Sequence, residues 1–108
     1  MARYELVVLS NPVEGQDEEY NRWYDEQHLK DVLAVDGVVS AQRFAATGLT
    51  PGPHGYMAVY GIDTDDLPAV MGQLGARMGT DAMPMSPAYD AAHATACVYA
   101  EHGPRLER

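Results

Sequence analysis

Residues 11–44 read NPVEGQDEEYNRWYDEQHLKDVLAVDGVVSAQRF, and this stretch decides the fold. Asn11 and Pro12 end the segment before them, because Asn forms turns and Pro cannot donate to a strand ladder. Asp17, Glu18 and Glu19 then place negative charge on the positive end of a helix dipole. Tyr20, Trp23, Tyr24 and Gln27 follow at i, i+3, i+4 and i+7, which gives that helix an aromatic face. Glu18 and Arg22 are spaced for an i, i+4 pair on another face. Leu29, Val32 and Leu33 continue an apolar stripe, but rotated from the first. The spacing therefore predicts a bend near His28 and a second short helix to about Ala34, closed by Asp36 and Gly37. Residues 38–46 alternate as a strand, with Val38, Ser40, Gln42 and Phe44 on one side and Val39, Ala41, Arg43 and Ala45 on the other.

Working outward, RYELVVLS (3–10) reads as a first strand and TGLTPGPHG (47–55) as a loop on its Gly and Pro content. YMAVYGI (56–62) is a third strand. Asp63, Thr64 or Asp65 can cap a helix over 67–78, where Leu67, Val70, Met71, Leu74 and Met78 have helical spacing. Gly72 and Gly75 weaken it. Residues 79–89, with two prolines and two methionines, read as an irregular, mobile loop. AAHATACVYA (91–100) is a last strand that puts His93, Thr95, Cys97 and Tyr99 on one face. The order is β-α-β-β-α-β, the split βαβ pattern of a ferredoxin-like α+β fold. It predicts a single domain over 1–108 in which helices cover one face of a four-stranded antiparallel sheet. The opposite face is too apolar for open solvent in so short a chain. Covering it with the same face of a second copy is economical, so a homodimer is expected.

Composition narrows the partners. The chain has 108 residues and a net charge of −9, from 16 acids against 7 bases. Nucleic acid and anionic membrane surfaces are poor partners for such a chain, since phosphate binding needs a clustered basic surface. A single cysteine, Cys97, allows no internal disulfide, and a reduced cytoplasmic protein is the simplest reading. MARYELVVLSNP (1–12) does not read as a signal peptide. No stretch approaches the ~20 apolar residues of a membrane span.

His28 is the foremost acid/base candidate, because histidine titrates near neutral pH. Asp25 and Asp31 lie three residues to either side, where either could orient the ring or raise its pKa. A buried histidine that fixes the bend is the equal competitor. Tyr24 can donate to a developing oxyanion, although packing is the commoner use of such a residue. Tyr20 and Trp23 are candidate ligand contacts, but a face with three aromatics more often buries against a sheet. Arg43, on a strand, must pair with a carboxylate or a ligand anion if buried, and Asp31 or Glu5 would serve in a salt bridge. Asn11 could bind a ligand carbonyl or bond its own backbone as a turn residue. His93 would line a pocket with His28 if it faces the helices, or a dimer interface if it does not. Cys97 has no CxxC partner and no basic residue nearby in sequence, and reads as a buried, inert thiol. His54 and His102 read as exposed. No standard metal-ligand spacing, phosphate loop or GxSxG motif occurs, so no metal and no cofactor are expected.

The same stretch resembles small bacterial proteins of the dimeric α+β barrel superfamily, close to the EthD-like group. The likeness rests on Asn11-Pro12, Gly15, Trp23-Tyr24-Asp25, His28, Asp31-Val32, Gly37 and Ala41-Gln42-Arg43-Phe44. It covers about a third of the chain, and the rest follows by element order. The superfamily includes cofactorless monooxygenases acting on polyketides, muconolactone isomerases, haem-degrading enzymes and peroxidase-like proteins. In contrast to the haem users, this chain has no histidine clearly placed as an axial ligand. The resemblance implies a pocket between sheet and helices for an apolar or aromatic small molecule. The leading expectation is thus a cytoplasmic homodimer that binds an aromatic or polyketide-like molecule. It would catalyse a cofactor-independent proton transfer (isomerisation, dehydration or cyclisation) with His28 as acid or base. A cofactor-independent monooxygenase and a non-catalytic ligand-binding or dimerisation protein are the alternatives.

Overall fold

The first strand, β1 (Ala2–Ser10), is the interior strand on which the sheet is built. It pairs antiparallel with β3 (Tyr56–Thr64) on one side and with β4 (Thr95–Ala100) on the other, and β2 (Val38–Ala45) pairs with the far edge of β3. The sheet order is β2-β3-β1-β4. This computed structural model describes residues 2–108. Leu6 stands opposite Tyr60 on β3 and Val98 on β4. Period-two alternation puts Leu6, Ser10, Ala58, Tyr60 and Ile62 on one face, and all are buried there under the helices. The architecture is the ferredoxin-like α+β arrangement that the element order predicts.

The helical arm between β1 and β2 differs from the predicted two pieces. α1 (Asp17–Trp23), a π-helical turn (Tyr24–His28) and α2 (Leu29–Leu33) run on without a break. Trp23, His28 and Leu29 all keep right-handed helical backbone angles at the junctions. The phase slip is real, but a wider turn absorbs it rather than a bend. Arg22 pairs with Glu19 in place of Glu18. The second helix, α3 (Leu67–Arg77), is capped by Asp66, whose carboxylate accepts from the Ala69 N–H at 3.2 Å, and it buries Val70 and Leu74. No helix among the described residues is long and apolar enough to cross a membrane.

Three further readings change. A register shift between Val38 and Ser40 sends Val38 into the core on the same face as Ala41 and Arg43, while Ser40, Gln42 and Phe44 face the other way. The last strand starts at Thr95, because Ala91–His93 form a 3-10 turn. The segment 79–89 is irregular yet tied down at several points. Met83 and Ala88 are buried, the Gly79 N–H donates to the Met83 carbonyl at 2.9 Å, and the Val13 N–H donates to the Ala88 carbonyl at 2.7 Å.

Gly37 makes the turn from α2 into β2 at φ 97°. A Cβ there would lie 2.7 Å from Val70 Cγ2 on α3. Both the backbone angle and the space require glycine. Gly37→Ala is expected to cost at least about 2 kcal/mol, read as a lower urea midpoint with an unchanged m-value.

Candidate functional site

A cavity of about 430 Å³ lies between the sheet and the helical layer. Leu6, Val8, Tyr60 and Ala96 form its floor. Tyr24, His28 and Val32 come from the helical arm, Met71, Leu74, Gly75 and Met78 from α3 and the residue that follows it, and Met83, Met85, Ser86, Tyr89 and Ala91 from the segment that leads to β4. Four methionines give it a soft, adaptable wall. The small residues Ala91 and Ala96 are exposed at the β4 side. Trp23, packed behind His28, donates its indole N–H to the Pro84 carbonyl at 3.0 Å and so fastens the methionine segment to the helical arm.

His28 is the last residue of the π turn and only 6% exposed. Its ring stacks on Trp23 at 4.4 Å between centroids and meets Tyr24 edge-on at 5.3 Å. Its Nδ1 has no protein hydrogen-bond partner among the described residues. Burial pushes its pKa down to about 4, against a smaller upward pull from the Asp31 carboxylate. Asp25 and Asp31 do not orient it. Asp31 accepts from the Gln27 side-chain amide at 2.9 and 3.2 Å, and Asp25 binds Arg43 Nη1 at 2.8 Å. Desolvation thus decides the sign of the shift, and a neutral imidazole faces the cavity.

Around it stands a layer of phenols. Tyr20, Tyr24 and Tyr60 are almost completely buried. Burial raises all three pKa values, so all remain protonated donors at neutral pH. Tyr20 and Ser10 share a 2.5 Å hydrogen bond. The Tyr60 hydroxyl has no partner with hydrogen-bonding geometry among the described residues, although Tyr24 is near enough to influence its ionisation. Arg43 crosses the back of this layer. Its guanidinium lies 4.5 Å from the Tyr24 ring centre, 5.2 Å from Tyr56 and 5.5 Å from Tyr20, and its Nη2 donates to Asn21 Oδ1 at 2.8 Å.

The predicted residues divide. Tyr24 and His28 meet at the cavity. Tyr20 and Trp23 pack behind them, as the core reading held. Arg43 makes a salt bridge, with Asp25 in place of Asp31 or Glu5. Asn11 staples the 47–55 loop: it donates to the Pro53 carbonyl at 2.9 Å and accepts from the Gly55 N–H at 2.7 Å. His93 is exposed on the 3-10 turn beside Asp90, with Nδ1 2.8 Å from the carboxylate, away from the cavity lining. Tyr60, Tyr89 and Ser10 were missed as site residues. Tyr60 and Ser10 share the inward phase of their strands with buried neighbours, and that phase was the available signal. Among the described residues no group of three His, Cys, Asp or Glu side chains is placed to hold a metal ion.

No family model and no curated protein matches the chain. Solved structures do. An ethyl tert-butyl ether D (EthD) family protein from Bacillus halodurans C-125 superposes with a TM-score of 0.60 at 14% identity, over 94% of this chain and 100% of that one. A dimeric ferredoxin-like protein of unknown function from Thermobifida fusca YX superposes with a TM-score of 0.53 at 15% identity, over 93% of this chain and 92% of that one. The chain is therefore an α+β protein of the ferredoxin-like class. Within that class its fold is EthD-like, as the resemblance in residues 11–44 implied.

The His28 environment has a consequence for stability. The group ordinarily titrates near pH 6.5 and in the folded chain near pH 4, so between these values the unfolded chain binds more protons. Stability should fall as pH drops through that window, by roughly 3 kcal/mol in all. His28→Phe should lack this part of the slope in urea unfolding followed across the same pH range.

Proposed function

We propose that the cavity binds a compact apolar, aromatic molecule and that His28 takes a proton from it. The observation that carries this reading is a buried, neutral histidine whose Nδ1 has no hydrogen-bond partner among the described residues, set in an apolar cavity among protonated phenols. With a pKa near 4, His28 is unprotonated at neutral pH and starts as a base, not an acid. In the reaction that fits, the proton next to a carbonyl passes to the imidazole and the C–H electron pair moves into the enolate. Tyr24 or Tyr60 donates to the developing oxyanion. The imidazolium then returns the proton elsewhere, which completes an isomerisation, or to a leaving hydroxyl or ring position in a dehydration or cyclisation. Asn11 and His93 have no part in it, and Asp31 acts only through its charge.

The test needs no knowledge of the natural substrate. 2-Tetralone, a compact enolisable ketone, exchanges its α-hydrogens in D2O, and the rate is read by proton NMR. The parent chain should accelerate this exchange, and His28→Gln should lower the acceleration on the order of 100-fold. Equal exchange by the variant would refute His28 as the base. A second reading, a carrier without catalysis, is favoured by the low basicity of His28 and by the lack of a carboxylate bonded to it. It predicts binding of 2-tetralone with no exchange.

We also infer self-association through the open face of the sheet. Val7, Leu9, Phe44, Met57 and Val59 lie on the face opposite the helices, and the Thermobifida fusca neighbour is described as dimeric. Cys97 is exposed on the same face and not buried as expected, because its strand phase points it away from the helices, and its free thiol fits a reducing cytoplasm. Analytical ultracentrifugation should find the parent dimeric and Val59→Arg monomeric, because the new charge would be buried without a partner. A monomeric parent would end this inference.

A further inference from the structure

We propose that the cavity selects uncharged ligands bearing a phenol, ketone or amide oxygen and rejects the carboxylates of the same shape. This deepens the preceding reading and rests on it, since it takes the cavity to be a ligand site.

The argument starts from what the walls lack and what they offer. No Lys or Arg side chain lines the cavity. Arg43 stands behind the Tyr24 ring, and both of its terminal nitrogens are engaged, one by Asp25 and one by Asn21. It cannot reach a ligand without breaking those bonds. The charge felt most directly at His28 is the Asp31 carboxylate, which repels an anion, and the chain as a whole carries −9. An anion entering this space would give up its water for thioethers, aliphatic groups and a few phenols, with no countercharge.

A neutral oxygen meets the opposite situation. Two residues of the cavity wall, Tyr60 and His28, each carry a buried polar atom, the hydroxyl and Nδ1, that has no hydrogen-bond partner among the described residues. Leaving such groups unpaired costs stability, and a ligand oxygen that bonds them recovers it. A single phenol, ketone or amide oxygen can accept a hydrogen bond from the Tyr60 hydroxyl and remain uncharged. The methionine walls accept flat rings of varied outline, so selectivity falls on charge and on the one oxygen, not on ring shape.

Three probes with the same ring system test this: 2-naphthol, 2-naphthamide and 2-naphthoate. The amide is neutral and has the shape of the carboxylate. The chain is labelled with 13C at the methionine methyls, so that Met71, Met78, Met83 and Met85 report the cavity and Met57 reports the opposite sheet face. Naphthol and naphthamide should shift the four cavity methyls and leave Met57 in place. Naphthoate should need on the order of 100-fold higher concentration for the same shift. Tyr60→Phe should weaken naphthol about tenfold, and its urea midpoint should not fall, because the variant removes an unpaired hydroxyl. Naphthoate binding within a few-fold of naphthol overturns the selectivity and leaves the cavity reading standing. So does a naphthamide that fails along with naphthoate, since shape would then decide. If none of the three moves the cavity methyls, both readings fall together.

Discussion

One wide helical turn sets the geometry on which the rest of the molecule depends. Tyr20, Tyr24, His28 and Val32 are buried at steps of four residues. A regular helix would drift about 40° at each such step and turn Val32 about 120° away from Tyr20. The π-helical turn at Tyr24–His28 takes up that drift. It keeps an aromatic, an imidazole and an aliphatic side chain facing the sheet in succession. His28 thereby enters the cavity, while Val32 and Val35 still close the core beyond it.

The aromatic layer held by that turn is polar by design of its parts. Tyr20 uses Ser10, and Trp23 uses the Pro84 carbonyl. The tyrosine rings accept the Arg43 guanidinium on their faces, a use of a half-buried cation that also employs Asp25 and Asn21. These contacts join helix, sheet and the methionine segment into one rigid frame. Against this background the Tyr60 hydroxyl and His28 Nδ1 stand out, because among the described residues they are buried without a hydrogen-bond partner, as is Arg3 Nε elsewhere in the sheet. Leaving such groups unpaired costs stability.

Electrostatics in this chain is decided by solvent exclusion more than by neighbouring charge. The sequence places two carboxylates beside His28, and their proximity suggested a raised pKa. Gln27 and Arg43 occupy both carboxylates instead, and burial drives the pKa the other way. The same logic explains Arg43: its phase on β2, opposite to Phe44, was readable, but its partner on α1's continuation was not, since the pairing spans 18 positions and depends on how the arm crosses the sheet.

Periodicity and turn chemistry are local, and what they encode was legible. The element order, the inward phases of β1 and β3, the helical slip near His28 and the sharp turn at Gly37 follow from residues close to one another in the chain. The likeness to EthD-like proteins also lay within residues 11–44. Long-range packing decided the remainder. The cavity draws its lining from β1, the helical arm, β3, α3, the 79–89 segment and β4, and no local pattern connects Tyr60 and Tyr89 to His28. A 3-10 turn took His93 out of the strand, whose phase shared with Cys97 would have aimed it at the open face, and a bulge moved Val38 into the inward phase. Sequence alone determined the kind and order of the elements, because those depend on local backbone geometry. Only the tertiary structure determined which polar groups are left without partners and how far His28 is dried, because both depend on what packs around them from distant parts of the chain.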